Sequence, residues 1–185
     1  MFDNIRNHKI LYGIERSYCS ENNASVEFDD SLKINDELDH LKTLVLKLDD
    51  YYNSKIMHNP PPSPDYLILV NCEDKEHYDL YLIELRDVSD SRLLHYDKEI
   101  KPKFETMIEN FFPQFSNIFK NTSYGRIKFY LITTYPKNSA NLSDEEYRKK
   151  IKTCLLDTYA SQKPLKLYNK AVLIEPRASL TIMPC

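Results

Sequence analysis

The sequence predicts one α/β domain built on a mixed β-sheet of about four to five strands flanked by helices. Three observations lead there. Helical and extended patterns alternate along the chain in the order helix, strand, strand, helix, strand, helix, strand. The extended runs are apolar on both faces, as in strands covered on both sides at the centre of a sheet. The length, 185 residues, suits a single domain with its own core.

The first 30 residues are polar and weakly patterned, with a turn-rich Ser20-Glu21-Asn22-Asn23. Residues 34–54 then read as a helix. Leu38, Leu41, Val45, Leu48 and Tyr52 recur at three- and four-residue spacing, and Asn35 is placed to cap the start. Asn59-Pro60-Pro61-Pro62-Ser63-Pro64 ends it, because proline cannot continue a helix.

Two strands follow, at Tyr66-Leu67-Ile68-Leu69-Val70 and from Tyr78 to Leu85, separated by the polar Glu73-Asp74-Lys75-Glu76. A hairpin is the economical reading. A helix from about Glu99 to Lys120 carries Phe104, Met107, Ile108, Phe111, Phe112, Phe115, Ile118 and Phe119, and Pro113 should kink or divide it. The phenylalanines read as core, with Phe112 or Phe115 as the alternative dimer contact. Residues 127–134 form a third strand. Ser143-Asp144-Glu145-Glu146 has the form of a capping box and opens a last helix bearing Tyr147, Ile151, Cys154 and Leu155. Ala171-Val172-Leu173-Ile174-Glu175 is a fourth strand, stopped by Pro176.

Composition removes several function classes. With only Gly13 and Gly125, no glycine-rich phosphate loop and no glycine-flanked nucleophile elbow can be built, so no nucleotide cofactor is expected. No apolar run reaches the ~20 residues of a membrane-spanning helix, and the N-terminus shows no signal-peptide pattern. The histidines lack zinc-type spacing. Cys19, Cys72, Cys154 and Cys185 stand far apart, so reduced thiols in a cytoplasmic protein are expected, with Cys154 in the core. The net charge of −3 conceals a division. Residues 1–97 hold 10 basic and 20 acidic side chains, whereas residues 98–185 hold 15 and 8. That division suits a metal site in one half and a phosphate-facing surface in the other, or simply two solvated faces.

The hairpin carries the candidate chemistry. Opposed residues in an antiparallel pair have a constant index sum. A turn centred near 74–75 sets Asp65 across from Glu84 or Leu85. Two carboxylates side by side repel and need a counter-charge. A hard divalent cation such as Mg²⁺ supplies one. The other reading of Asp65 is a strand-entry turn residue, and of Glu84 an ordinary ion pair with Arg86 or a lysine. Asp79, at the turn end, is expected to face solvent.

Pro64-Asp65, 18 intervening residues, then Glu84-Leu85-Arg86 on an apolar strand resembles the motif of the PD-(D/E)XK (restriction endonuclease-like) nuclease superfamily. The order helix, hairpin, helix, strand is similar too, and the resemblance covers about residues 34–134. It implies a Mg²⁺-dependent endodeoxyribonuclease, with Mn²⁺ as a substitute ion, DNA as partner, a homodimer for duplex cleavage, and a role in defence or DNA processing. By resemblance Asp65 and Glu84 bind metal, and Glu37, less favourably Asp36, is the third carboxylate from the preceding helix. Arg86 stands where the family has lysine. Arginine clamps phosphate but does not copy a compact ammonium. Either Lys101 or Lys103 of the next helix reaches the site, or the domain is a degenerate relative that binds without cutting. Lys101 with Arg148, Lys149 and Lys150 could hold a phosphate backbone. An unrelated α/β protein-interaction domain is the third reading.

Overall fold

Apolar strands with β-branched and aromatic residues pair into one sheet, and the computed structural model orders them by sequence. It describes residues 1–21, 23–53, 59–72, 76–86, 99–133, 163–177 and 179–185. Six strands form the sheet: β1 Glu15–Arg16, β2 Thr43–Lys47, β3 Tyr66–Cys72, β4 His77–Arg86, β5 Tyr124–Thr133 and β6 Ile174–Arg177. Their spatial order is β1-β2-β3-β4-β5-β6. The first four run antiparallel in turn, while β5 is parallel to β4 and β6 is parallel to β5. The expected mixed sheet is therefore present, with six strands.

Among the described residues the α-helices are α1 Phe2–Arg6, α2 Lys9–Gly13, α3 Leu48–Asn53, α4 Lys101–Thr106, α5 Phe112–Gln114 and α6 Ser116–Phe119. They pack on one sheet face with Leu44, Leu46, Leu67, Leu69, Leu80, Leu82, Phe129 and Leu131. The opposite face carries Val45, Ile68, Val70, Tyr81, Ile83 and Ile132, packed with Cys19, Val26, Phe28, Leu32, Leu38 and Ile182 from short ribbons. Both faces of the sheet are thus covered, which is why its strands read as continuous apolar runs.

The helix expected over 34–54 is overturned. Leu41, one of its supposed apolar positions, is 70% exposed. Asn35 and Asp36 have φ of 52° and 64° and turn the ribbon that pairs Lys33–Ile34 with Glu37–Leu38. Asparagine and aspartate tolerate that left-handed conformation, which a two-residue hairpin turn requires. Thr43 to Leu46 are all buried, on both faces of β2. Only the last part of the expected helix exists, as α3.

The weak N-terminal patterning is also corrected. Phe2, Ile5, Leu11 and Ile14 are buried in the main core, on or beside α1 and α2. Between α4 and α5 the chain forms a π-turn at Met107–Phe111, and Phe115 breaks the helix before α6. Phe112 and Phe115 are both buried, as the core reading expects. Pro176 does not stop a strand. It lies within β6, an edge strand, where the missing N–H costs least. Residues 170–172 instead pair with 165–167 in a separate hairpin. The expected helix from Ser143, including Cys154, lies outside the described residues. Among the described residues no helix is long and apolar enough to cross a membrane.

Candidate metal and phosphate site

The β3–β4 register pairs Tyr66 with Ile83 and Leu67 with Leu82, an index sum of 149. Continued by one residue, it sets Asp65 opposite Glu84. Alternation puts Glu84 on the helix-covered face with Leu80 and Leu82. Asp65 is 3% exposed and Glu84 1%.

Buried carboxylates need partners, and each has its own. Lys103 of α4 places Nζ 2.7 Å from Glu84 Oε1 and 2.9 Å from Oε2. Arg86 Nε donates to Glu84 Oε1 at 2.9 Å, and its guanidinium reaches Glu99 Oε2 at 3.3 Å. Asp65 Oδ2 accepts the Leu85 N–H at 2.6 Å. Lysine and arginine therefore converge on one carboxylate of the pair, while among the described residues the other holds only a backbone donor.

The electrostatics follow from that imbalance. Burial, then the charge of Glu84, push the Asp65 carboxyl up to about 8, against the pull of Lys103 and the Leu85 N–H. Burial also holds Glu84 above the ordinary carboxylate range, despite Lys103 and Arg86. Burial thus outweighs both cations at this site.

Further acids gather at Asp65. Leu48 N–H donates to the Asp65 carbonyl at 2.8 Å, which seats the start of α3 against the entry to β3 and brings up Asp49. Ser63 Oγ donates to Asp49 Oδ1 at 3.0 Å. Tyr66 Oη donates to the Ser20 carbonyl at 2.9 Å and draws in the ribbon bearing Glu21. Glu21, Asp49 and Asp65 each offer an oxygen within 4.8 Å of the others. An all-oxygen set of this kind fits a hard cation such as Mg²⁺ or Mn²⁺.

Glu37 does not sit where the expected helix would have carried it. It is exposed on the Glu37–Leu38 strand of a ribbon, and Asp36 is its turn residue. Lys101 pairs with Glu105 at 3.4 Å, one turn along its own helix. Arg148, Lys149 and Lys150 lie outside the described residues. Asp79 does not face solvent: it is 1% exposed and bound by Arg126. Glu21 and Asp49 escaped the sequence reading because they meet Asp65 only through long-range packing. The one local cue was Asp49-Asp50 at a helix start, where acids suit the dipole in any case. No family model, curated protein or solved structure matches this chain.

Proposed function

We propose that the chain is a Mg²⁺-dependent endodeoxyribonuclease of the restriction-endonuclease-like kind. The observation that carries this reading is the convergence of Asp65 at the entry to β3, Glu84 of β4 and Lys103 of α4 at one end of the sheet. Their order in the chain is that of the superfamily motif, with Lys103 supplying the ammonium that Arg86 does not. Asp65 would hold the ion with Asp49 and Glu21, which take the part first assigned to Glu37, and Glu84 would join by exchanging a Lys103 contact for the metal. When bound, the ion would activate water and stabilise charge on the phosphodiester.

The chain's own groups have separate tasks. Lys103 donates its N–H bonds to a water or phosphate oxygen from a compact, mobile head. Arg86 offers a planar fork suited to a phosphate. The Leu85 N–H fixes the Asp65 carboxylate, and the apolar residues around both acids limit water. Cleavage of both strands would use two copies of the site in a homodimer.

A second reading is a DNA-binding module without cleavage. It is favoured by the three charge-assisted contacts that Lys103 and Arg86 already make to Glu84.

Plasmid nicking in Mg²⁺ or Mn²⁺ separates the two. The nuclease predicts cutting that falls at least ~100-fold in Asp65→Asn, Glu84→Gln and Lys103→Met. Cutting that persists in these variants overturns the site. Salt-sensitive DNA retention without cutting supports the binding module, and neither activity rejects both.

A further inference from the structure

At the other end of the hairpin, four side chains of zinc-ligand type come together. Cys72 closes β3, His77 opens β4, Asp79 follows on β4, and Cys185 arrives from the far end of the sequence. Each offers a ligand atom within 4.8 Å of the others. Cys72 and Cys185 are joined as a disulfide, with Cα atoms 5.5 Å apart. This corrects the expectation of reduced thiols for that pair, while Cys19 is a buried free thiol. We propose that the reduced Cys72 and Cys185, with His77 and Asp79, form a tetrahedral Zn²⁺ site. Disulfide and zinc are then alternative fastenings for the same two cysteines.

The chemistry of the donors selects the ion. Thiolate and imidazole favour zinc over the hard cations suited to the Asp65 cluster. Zn–S near 2.3 Å and Zn–N near 2.0 Å set tetrahedral ligand atoms roughly 3.3–3.8 Å apart, so the two sulfurs part from bonding distance on reduction while the other ligand atoms already lie within 4.8 Å. Cys185 Sγ already lies 3.4 Å from Asp79 Oδ2.

The surroundings balance the charge. Two thiolates and one carboxylate leave a zinc complex at −1, and Arg126 supplies the compensating +1. Arg126 donates its backbone N–H to Asp79 Oδ1 at 2.7 Å and its Nε to Oδ2 at 2.5 Å. Outer partners of this sort orient a ligating carboxylate. Gly125 leaves room for the imidazole, since a Cβ there would meet His77 Nε2 at 2.2 Å.

Opening the disulfide consumes two electrons and two protons. A trialkylphosphine with water provides them and becomes its oxide; zinc then displaces the two thiol protons. The site is ~16 Å along β4 from Glu84, on the opposite face, and stands independently of the nuclease reading.

The test uses the full chain, reduced by phosphine, desalted under argon and titrated with Co²⁺. The expected result is one equivalent bound, with a near-ultraviolet thiolate-to-cobalt band and intense tetrahedral visible bands, both lost when Zn²⁺ is added. Cys72→Ser and Cys185→Ser should each weaken the thiolate band, and His77→Ala should weaken affinity tenfold or more. Cys185 is exposed, so its serine variant is expected to fold even if Cys72→Ser does not. No thiolate band in the reduced chain, or an undiminished band in folded Cys185→Ser, overturns the proposal.

Discussion

Asp65 and Glu84 differ in what surrounds them, and the difference has a measurable sign. Folded Asp65 keeps its proton up to about pH 8, whereas the unfolded carboxyl releases it near 3.8. Between those values the folded chain binds more protons, so stability without divalent metal should fall as pH rises from about 4 to about 8 and then level off. Melting temperature in chelator across that range checks it, and Asp65→Asn should flatten the slope. A divalent ion bound at Asp65 displaces that proton, so its affinity should rise with pH over the same interval. Lys103 is the second residue with a clear expectation. Lys103→Met leaves the buried Glu84 with Arg86 alone and should cost about 2–3 kcal/mol in chemical denaturation at pH 7. Glu84→Gln in the same background should recover much of that loss. The pairing of Asp65 with Glu84 was legible in the sequence because hairpin arithmetic is local. The arrival of Glu21 and Asp49 was not, because it depends on Tyr66 binding Ser20 and Leu48 binding the Asp65 carbonyl.

The elements that could be read were those whose pattern has one interpretation. The runs at 66–70 and 80–85, and the one read over 127–134 and found as part of Tyr124–Thr133, are buried on both faces for most of their length. Residues 43–47 were ambiguous. Leu38, Leu41, Val45 and Leu48 satisfy helical spacing, yet Leu44-Val45-Leu46 is also a continuous apolar run, and pairing with β3 decided the outcome. The phenylalanine helix shows the opposite case, where many aromatics force burial whatever the local winding. Phe111 is fully buried and meets Tyr51, Phe112, Phe115 and Phe119 ring to ring. Phe111→Ala should therefore cost about 3–5 kcal/mol by denaturant titration. Glu76 gives a smaller effect of opposite sign. It has φ of 52°, a left-handed conformation that glycine adopts without penalty. Glu76→Gly should stabilise the hairpin by about 0.5–1 kcal/mol in the same assay.

At the scale of the whole molecule, the described residues give the sheet two different covers, one of them built of short α-helices. The helical side is anchored by a ring-packed aromatic cluster. The other is a patchwork of two-residue ribbons, among them Thr181–Ile182 pairing with Glu27–Phe28. Such short pairings contribute little by themselves, so the layer depends on what pins its ends. The Cys72–Cys185 bond does this across 113 residues of sequence, joining the segment after Ile182 to the end of the central strand β3. Closing a loop of that length removes much of the freedom of the unfolded chain, a stabilisation of about 2–4 kcal/mol. Reduction in chelator should accordingly lower the melting temperature by roughly 5–15 °C for a chain of this size. Cys185→Ser should melt at the same lowered temperature with or without reductant. If the pair is instead a dispensable surface link, reduction should leave the transition where it was. Adding Zn²⁺ to the reduced chain should restore part of the loss, and should do nothing for Cys185→Ser, because an ion that binds only the folded state stabilises by mass action.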